Sequence, residues 1–319
     1  MFDVIGDIHG QGDALEKLLT RLGYRHERGA YRHDERRVIF VGDFVDRGPK
    51  IKQVLEIVRP MVEEDAALAV MGNHEFNMIA LHTSDGSGGH LRPREYKNIR
   101  QARETIAQLK DDEIADYVEW FRKLPMWLEV DGLRVVHASW IEPQMEIIAK
   151  HRQQAGGCTD AFVAQACKRG SDLFLAIDDV LKGTEAKLPD GLTFLDKDGH
   201  ERNKARTRWY LDAQNPDLTW RQYAMCFHER ERLAMPDCHL PADWNFERSE
   251  YAGYPADAPP VIFGHYWVPP EDGYLKPLAD NVACVDLSAG KGDGGKLCAY
   301  RWDGEQTLSA EHFVAVDVS

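Results

Sequence analysis

The stretch that decides the fold is GDIHG at residues 6–10, together with two further stretches of the same kind, GDFVDRG at 42–48 and GNHE at 72–75. Each follows a short apolar run and precedes a segment whose apolar residues recur at helical spacing. This order predicts a strand, a loop and a helix, repeated along the chain. Such units form parallel sheets, in which the loops beyond the carboxyl ends of neighbouring strands lie side by side. We therefore expect the three stretches to meet at one edge of a sheet.

The helices after these stretches have recognisable limits. Asp13 and Glu16 form a capping-box pattern at the start of the first helix, and Gly23 suits its end. The second helix is expected to stop at Pro60, because proline lacks the N–H that a helix interior needs. GNHE is expected to be a loop, with the third helix beginning at Phe76.

The later part of the chain is less regular. Its patterns predict helices over 96–124, a hairpin over 127–136, helices over 141–182, and strands at 261–263, 282–287 and 296–302. Residues 183–258 are polar and irregular, and little structure is predicted for them. The expected fold class is α/β, with a second set of strands that begins at the hairpin. We expect one domain over 1–319, with 141–258 as a cap or insertion within it.

The charge balance limits the classes of ligand. Lys and Arg number 39 against 53 Asp and Glu, a net charge of −14. A general attraction to nucleic acid or to anionic membranes is therefore not expected, and a phosphate-bearing ligand must be held by local charge. No apolar run is long enough for a membrane span, and no N-terminal segment joins a basic start to an apolar stretch, so neither a membrane span nor secretion is expected. The cysteines include no C-x-x-C pair, so we expect reduced thiols in a cytoplasmic protein.

Potential metal ligands stand at the ends of the predicted strands. Carboxylate, imidazole and amide ligands together suit manganese, iron, zinc or similar ions rather than a thiolate cluster or a calcium site. An isolated Asp-x-His pair is most often a surface pair, but so many ligands at equivalent places predict two ions. The side chains that directly follow the strands are Asp7, His9, Asp43, Asn73, His74, His137 and His265.

With VVHAS at 135–139 and FGHY at 263–266, these stretches resemble the calcineurin-like metallophosphoesterases. The DRG of residues 46–48 and Glu75 make them most similar to the branch of protein serine/threonine phosphatases and symmetric diadenosine tetraphosphate hydrolases. The resemblance spans residues 6–266, although the cap region carries no motif. It implies a four-layer sandwich of two mixed sheets flanked by helices, with a helical or irregular cap insertion. The implied ligands are Asp7 and His9 for one metal ion, Asn73, His137 and His265 for the other, and Asp43 as the bridge.

The expected cofactors are two divalent metal ions, manganese first, with iron, zinc, nickel or cobalt as alternatives. A water that bridges two such ions loses a proton near neutral pH, and the bridging hydroxide would attack phosphorus in line. No covalent phosphoenzyme is expected. Arg47 offers a planar guanidinium to the phosphoryl oxygens, and its alternative is a salt bridge with Asp46.

The resemblance also gives roles to residues near the metal ions. It implies that His74 protonates the leaving oxygen and that Asp46 orients this imidazole. The sequence alone equally allows His74 as a metal ligand, with Asn73 behind it. Family members use a further arginine between the last two metal histidines. Arg206 and Arg208 are the candidates, and their alternative is a solvated strand or loop face.

The expected function is hydrolysis of a phosphomonoester or a nucleoside polyphosphate by a metal-dependent phosphoesterase. A protein serine/threonine or tyrosine phosphatase is the alternative, although His137-Ala138-Ser139 is closer to the dinucleotide hydrolases than to the His-Gly-Gly of protein phosphatases. Trp267 stands where many relatives carry a further ligand. A catalytically silent binding or scaffold protein is the alternative from another class. The expected partners are a phosphorylated small molecule, a nucleotide or a phosphoprotein, with no stable nucleic-acid complex and no membrane.

Overall fold

The computed structural model describes residues 1–195, 199–227, 229–241, 253–271 and 275–318. The chain forms two compact units, the first made of Met1–Lys182 with Pro259–Ser319 and the second of Gly183–Ala258. The helices, in chain order, are α1 (Gly12–Leu22), α2 (Ile51–Glu63), α3 (Asn73–His82), α4 (Tyr96–Gln108), α5 (Asp111–Phe121), α6 (Glu142–Gln154), α7 (Asp160–Ala166), α8 (Asp172–Lys182), α9 (Trp220–Tyr223) and α10 (Glu229–Ala234). The strands are β1 (Phe2–Ile5), β2 (Arg25–Glu27), β3 (Ala30–Arg32), β4 (Arg37–Phe40), β5 (Ala67–Ala69), β6 (Trp127–Val130), β7 (Leu133–Val136), β8 (Glu185–Lys187), β9 (Phe194–Leu195), β10 (Glu201–Arg202), β11 (Lys204–Arg206), β12 (Val261–Phe263), β13 (Val282–Cys284), β14 (Asp286–Leu287), β15 (Lys296–Trp302) and β16 (Phe313–Asp317).

Two mixed β-sheets make the centre of the first unit. One has the order β14-β15-β1-β4-β5, with β16 beside β15, and its strands β1, β4 and β5 run parallel. The other has the order β13-β12-β7-β6, and the predicted hairpin of β6 and β7 turns through the left-handed residues Asp131 and Gly132. Alternate side chains of both sheets, among them Val4, Val135 and Ile262, form one buried apolar cluster. Helices α1 and α2 lie against the first sheet, so the predicted α/β architecture of mixed sheets flanked by helices is confirmed.

The first helix begins differently from the prediction. It starts at Gly12 without a side-chain cap, so Asp13 lies inside its first turn, where the carboxylate accepts from Lys50 Nζ at 2.6 Å. The predicted capping box is therefore wrong, because the Asp13 carboxylate is hydrogen-bonded to Lys50, which directly precedes α2. Gly23 ends the helix in the left-handed conformation with φ 96°, as predicted.

The second and third helices also depart from the predictions. Helix α2 continues through Pro60 to Glu63, because proline removes one N–H bond from the last turn while the apolar face stays buried. GNHE is not a loop, since α3 begins at Asn73. The Gly72 N–H donates to the Glu75 carboxylate at 3.0 Å, which caps the start of this helix. The third stretch therefore delivers its polar side chains from the first turn of a helix.

The second unit coincides with residues 183–258, for which the sequence predicted little structure. Strand β8 pairs with β11 and β9 with β10, each pair antiparallel, and Trp220 and Tyr223 of α9 are almost wholly buried in its own apolar cluster. Residues 141–182 belong to the first unit and form α6, α7 and α8. Among the described residues, no helix is both long and apolar enough to cross a bilayer.

Candidate metal centre

Asp43 lies at the middle of a buried group of imidazoles in the first unit. It follows strand β4 and is 2% exposed. Its Oδ2 atom is 3.5 Å from His9 Nε2, 3.4 Å from His137 Nε2 and 3.8 Å from His74 Nε2. Two sets of possible ligand atoms converge here, namely His9, Asp43 and His74, and Asp43, His137 and His265. One carboxylate therefore faces imidazoles that come from four different parts of the chain.

Asp7 and Asn73 complete the group of predicted ligands. Asp7 is buried at the end of β1, and both of its carboxylate oxygens lie 3.1 Å from the backbone nitrogen of His265. The Asn73 Oδ1 atom lies 3.2 Å from His137 Nε2. The structure thus brings together all the side chains that the sequence offered as ligands, including His74, whose place as ligand or proton donor stays a proposal.

Glu75 joins the second and third stretches. Its buried carboxylate accepts N–H groups from Gly72, Asp43 and Phe44 at 2.8–3.0 Å. Gly72 has no room for a side chain, because a Cβ there would come within 2.2 Å of Asp43 Oδ1. Glu75 therefore fixes the backbone that carries Asp43, and the missing side chain at Gly72 lets the carboxylate approach the start of α3.

The donor set fits metal ions, and the orientation of two histidines is the observation that decides this. His9 Nδ1 lies 3.0 Å from the Val45 carbonyl oxygen, and His137 Nδ1 lies 2.8 Å from the Val41 carbonyl oxygen. A neutral imidazole that donates from Nδ1 presents a bare lone pair at Nε2. In both residues that lone pair faces an Asp43 oxygen within 3.5 Å. A bare lone pair and a carboxylate oxygen at this distance are stabilised by a cation between them, which is either a proton on Nε2 or a metal ion.

The pKa values of the two histidines beside Asp43 shift in opposite directions. Burial lowers the pKa of His9 to about 3, and the neighbouring His74 acts in the same direction. Burial also acts to lower the pKa of His137, but the Asp43 carboxylate outweighs it and that pKa rises to about 10. His9 is therefore neutral and able to bind a cation, and at His137 a metal ion would take the place of a proton.

The backbone around the centre adopts a conformation that side chains rarely allow. Among the described residues, ten that are not glycine have a positive φ, and five of these are predicted site residues: His9, Asp43, Asp46, Arg47 and His265. Such backbone costs on the order of 1–3 kcal/mol at each residue and clusters at functional sites. The concentration at the ends of β1, β4 and β12 indicates that these loops are shaped for the site.

His74 and Asp46 form the predicted pair. His74 Nδ1 lies 2.6 Å from Asp46 Oδ2, so the Nε2 atom points toward Asp43. The Thr105 hydroxyl donates to Asp46 Oδ1 at 2.5 Å and accepts the Asp46 N–H at 2.9 Å. Asp46 is thereby fixed by α4 on one side and oriented toward the imidazole on the other.

Arg47 is exposed and stacks on an aromatic ring. Its guanidinium carbon is 4.5 Å from the centre of the Trp267 ring, which in turn lies 6.2 Å from the His9 ring. The alternative of a salt bridge with Asp46 is wrong, because Asp46 is engaged by His74 and Thr105, and Arg47 forms no ion pair with any described residue. Trp267 holds the exposed guanidinium by a cation–π contact.

Sequence reasoning missed Asp286. It is 1% exposed, its oxygens accept the N–H groups of Trp267 and Ser288, and its charge raises the pKa of Asp7, an effect second to that of burial. The sequence carried a signal, because Asp286 follows the apolar strand β13 as Asp7 follows β1 and Asp43 follows β4. It was hidden because no histidine or glycine motif surrounds it.

The second arginines that the sequence suggested lie in the second unit. Arg206 ends strand β11 and is partly buried. Arg208 donates from Nε to the Ala224 carbonyl oxygen at 3.3 Å and lies over the Phe227 ring at 5.9 Å. Both arginines thus belong to the second unit. A role in phosphate binding is a proposal for each.

Known proteins share this chain's sequence and fold. Residues 1–175, more than half of the 319, match the family model described as calcineurin-like phosphoesterase. The chain is 30% identical over 141 residues to the asymmetrical bis(5'-nucleosyl)-tetraphosphatase PrpE of Oceanobacillus iheyensis, an alignment that covers 43% of this chain and 54% of that protein. It thus spans about half the length of this curated relative. It is 27% identical over 97% of both chains to the symmetrical bis(5'-nucleosyl)-tetraphosphatase of Vibrio parahaemolyticus.

A solved structure of a cold-active protein tyrosine phosphatase matches 94% of this chain and 73% of its own, with a TM-score of 0.51 and 17% identity. That match shows a shared fold. The family resemblance inferred from the motifs is confirmed by the family model. The chain belongs to the calcineurin-like phosphoesterase family.

Proposed function

We propose that this protein is a metal-dependent phosphoester hydrolase with a dinuclear centre. The observation that carries the proposal is the convergence on Asp43 Oδ2 of the Nε2 atoms of His9 and His137, within 3.5 Å. The position suits a carboxylate shared by two cations. Family membership supports the same chemistry, because the calcineurin-like phosphoesterase model covers the part of the chain that holds Asp43.

The proposed ligands divide between two ions. Asp7, His9 and Asp43 would hold one, and Asn73, His137 and His265 would hold the other together with Asp43. When bound, two divalent ions, of which manganese suits the mixed oxygen and nitrogen donors, would neutralise phosphoryl charge and supply a deprotonated water for in-line attack. Asp286 would support the site without binding a metal ion. Its carboxylate fixes the backbone of Trp267 and adds negative charge near Asp7.

The chain's own residues would orient the substrate and move one proton. Arg47 would hold the phosphoryl oxygens, with its guanidinium plane fixed by Trp267. His74 would donate the proton on Nε2 to the leaving oxygen, while Asp46 keeps the Nδ1–H in place. Arg206 and Arg208 are further candidates for phosphate binding, which the family resemblance suggests.

We infer that the substrate is a nucleoside polyphosphate. The support is the similarity to a symmetrical bis(5'-nucleosyl)-tetraphosphatase over 97% of the chain, together with His137-Ala138-Ser139 in place of the His-Gly-Gly of protein phosphatases. A phosphoprotein is the competing substrate. A protein that only binds its ligand is the alternative without catalysis.

Side-by-side assays would test this function. Purified protein with Mn²⁺ is offered diadenosine tetraphosphate, p-nitrophenyl phosphate, bis-p-nitrophenyl phosphate and a phosphopeptide. We expect the highest kcat/KM on diadenosine tetraphosphate, and Asp112→Asn, an exposed change on α5, serves as the matched control. A phosphopeptide hydrolysed fastest would contradict the substrate class. Bound metal without turnover on any of the four would contradict the hydrolase.

A further inference from the structure

Arg92 turns back toward the candidate site from the loop that follows α3. Its backbone N–H donates to the Ala80 carbonyl oxygen at 3.0 Å, which fixes the later part of the loop on α3. The side chain is half-buried. Nη1 donates to Asn77 Oδ1 at 3.0 Å, and Nη2 donates to Gln101 Oε1 at 2.8 Å. The guanidinium is therefore held between α3 and α4 by two neutral amides.

Gln101 connects this guanidinium to His74. Arginine has only donors, so the amide oxygen of Gln101 must face Arg92 and the amide nitrogen must face the other way. That nitrogen lies 3.2 Å from His74 Nδ1 and 3.4 Å from His74 Nε2. A single amide group thus separates the Arg92 guanidinium from the imidazole proposed as the proton donor.

No carboxylate of a described residue forms an ion pair with Arg92. In the described part of the chain it forms no ion pair, whereas the buried Arg36 pairs with Asp3 and the partly buried Arg122 pairs with Asp160. Burial lowers the pKa of Arg92, and the more distant Asp46 only partly opposes this effect. One N–H on each terminal nitrogen has no acceptor among the described residues. A half-buried cation with unused donors is suited to an anion, and a guanidinium suits the oxygens of a phosphate.

We propose that Arg92 is a second phosphate-binding residue, which holds phosphoryl oxygens on the His74 side of the site while Arg47 holds them beside His9. The proposal rests on the proposed function, since it supplies a second cation for a substrate with several phosphates. Asn77 and Gln101 are positioning residues for this guanidinium. In the competing explanation, Arg92 only ties the loop to α3 and α4, and phosphate binding would then not depend on its charge.

Calorimetric titration of inorganic phosphate into the 319-residue protein, with and without Mn²⁺, tests the proposal. Arg92→Gln removes the charge, Arg92→Lys keeps the charge but loses the fork, and Arg94→Gln removes an equal charge from an exposed residue of the same loop. We expect Arg92→Gln to weaken phosphate binding about tenfold and Arg92→Lys by several-fold, with unchanged Mn²⁺ stoichiometry. Arg94→Gln should stay within twofold of the wild type.

Phosphate affinity within twofold of the wild type in a folded Arg92→Gln protein would overturn the proposal. If that variant does not fold, the same result for Arg92→Lys would overturn it, and so would a wild type that binds no phosphate. The proposed function fails separately, because turnover is not part of this measurement. Protein that binds phosphate through Arg92 and hydrolyses no ester would contradict the hydrolase and keep this inference.

Discussion

At the residue scale, two carboxylates set the protonation of His74. Burial acts to lower the pKa of this imidazole, but Asp43 and the hydrogen bond to Asp46 outweigh burial and raise it above its ordinary value. A raised pKa favours the protonated imidazole, which is the form that a general acid needs. Catalysis that uses this proton is present below the pKa of His74 and is lost as the pH rises through it.

Asp46→Asn should therefore move the alkaline limb of the pH–rate profile to lower pH. The change removes one of the carboxylates that raise the pKa of His74, and we expect a shift of roughly one pH unit. The measurement is kcat/KM against pH for the Mn²⁺-loaded protein, with Asp112→Asn as the control for a lost surface charge. An alkaline limb at the wild-type pH in Asp46→Asn would show that Asp46 does not set the protonation of His74.

At the element scale, helix α4 contacts the second and third stretches through one polar face. Gln101, Thr105 and Gln108 recur at helical spacing, and they contact His74, Asp46 and the Gly48 carbonyl oxygen in turn. The sequence could not predict this, because polar residues at such spacing on a mostly exposed helix usually face solvent. By contrast, the first motif and the hairpin could be predicted, since apolar runs and the Asp131-Gly132 turn are local signals.

Thr105→Val tests whether α4 orients Asp46 through the Thr105 hydroxyl. Valine keeps the shape but removes the hydroxyl, so the Asp46 N–H loses its acceptor and Oδ1 loses its donor in a buried place. We expect the free energy of unfolding to fall by about 2 kcal/mol and kcat to fall about tenfold. Thr105→Ser keeps the hydroxyl and is the matched control. Equal kcat for Thr105→Val and the wild type would show that Asp46 is oriented without α4.

At the scale of the whole molecule, the proposed ligands are far apart in sequence but belong to one compact unit. Asp7 and His265 are 258 residues apart, and the His265 backbone N–H meets the Asp7 carboxylate. Strand ends in both sheets bring these side chains together, so their proximity could be predicted from their strand-end positions in the sequence. Asp286 and Arg92 stayed hidden, because each depends on contacts between elements that carry no motif. The second unit, Gly183–Ala258, contains none of the proposed ligands.

Substitutions of the candidate arginines in the second unit should therefore change the KM for substrate and leave metal binding unchanged. If Arg206 and Arg208 bind phosphate, Arg206→Gln and Arg208→Gln should each raise KM for diadenosine tetraphosphate several-fold, because each removes a charge-assisted hydrogen bond. Metal stoichiometry is measured in parallel. Arg202→Gln, an exposed change on β10, is the control. Wild-type KM in both variants would remove the two arginines from the substrate site.

The shared carboxylate of Asp43 is the central claim, and counting bound metal tests it most directly. Wild type and Asp43→Ala are loaded with Mn²⁺, freed of excess metal, and analysed for metal by mass spectrometry. We predict two Mn²⁺ ions per wild-type chain and the loss of both, with turnover, in Asp43→Ala, while Asp112→Asn keeps both. Two tightly bound ions in a folded Asp43→Ala protein, or a single ion in the wild type, would contradict the dinuclear centre.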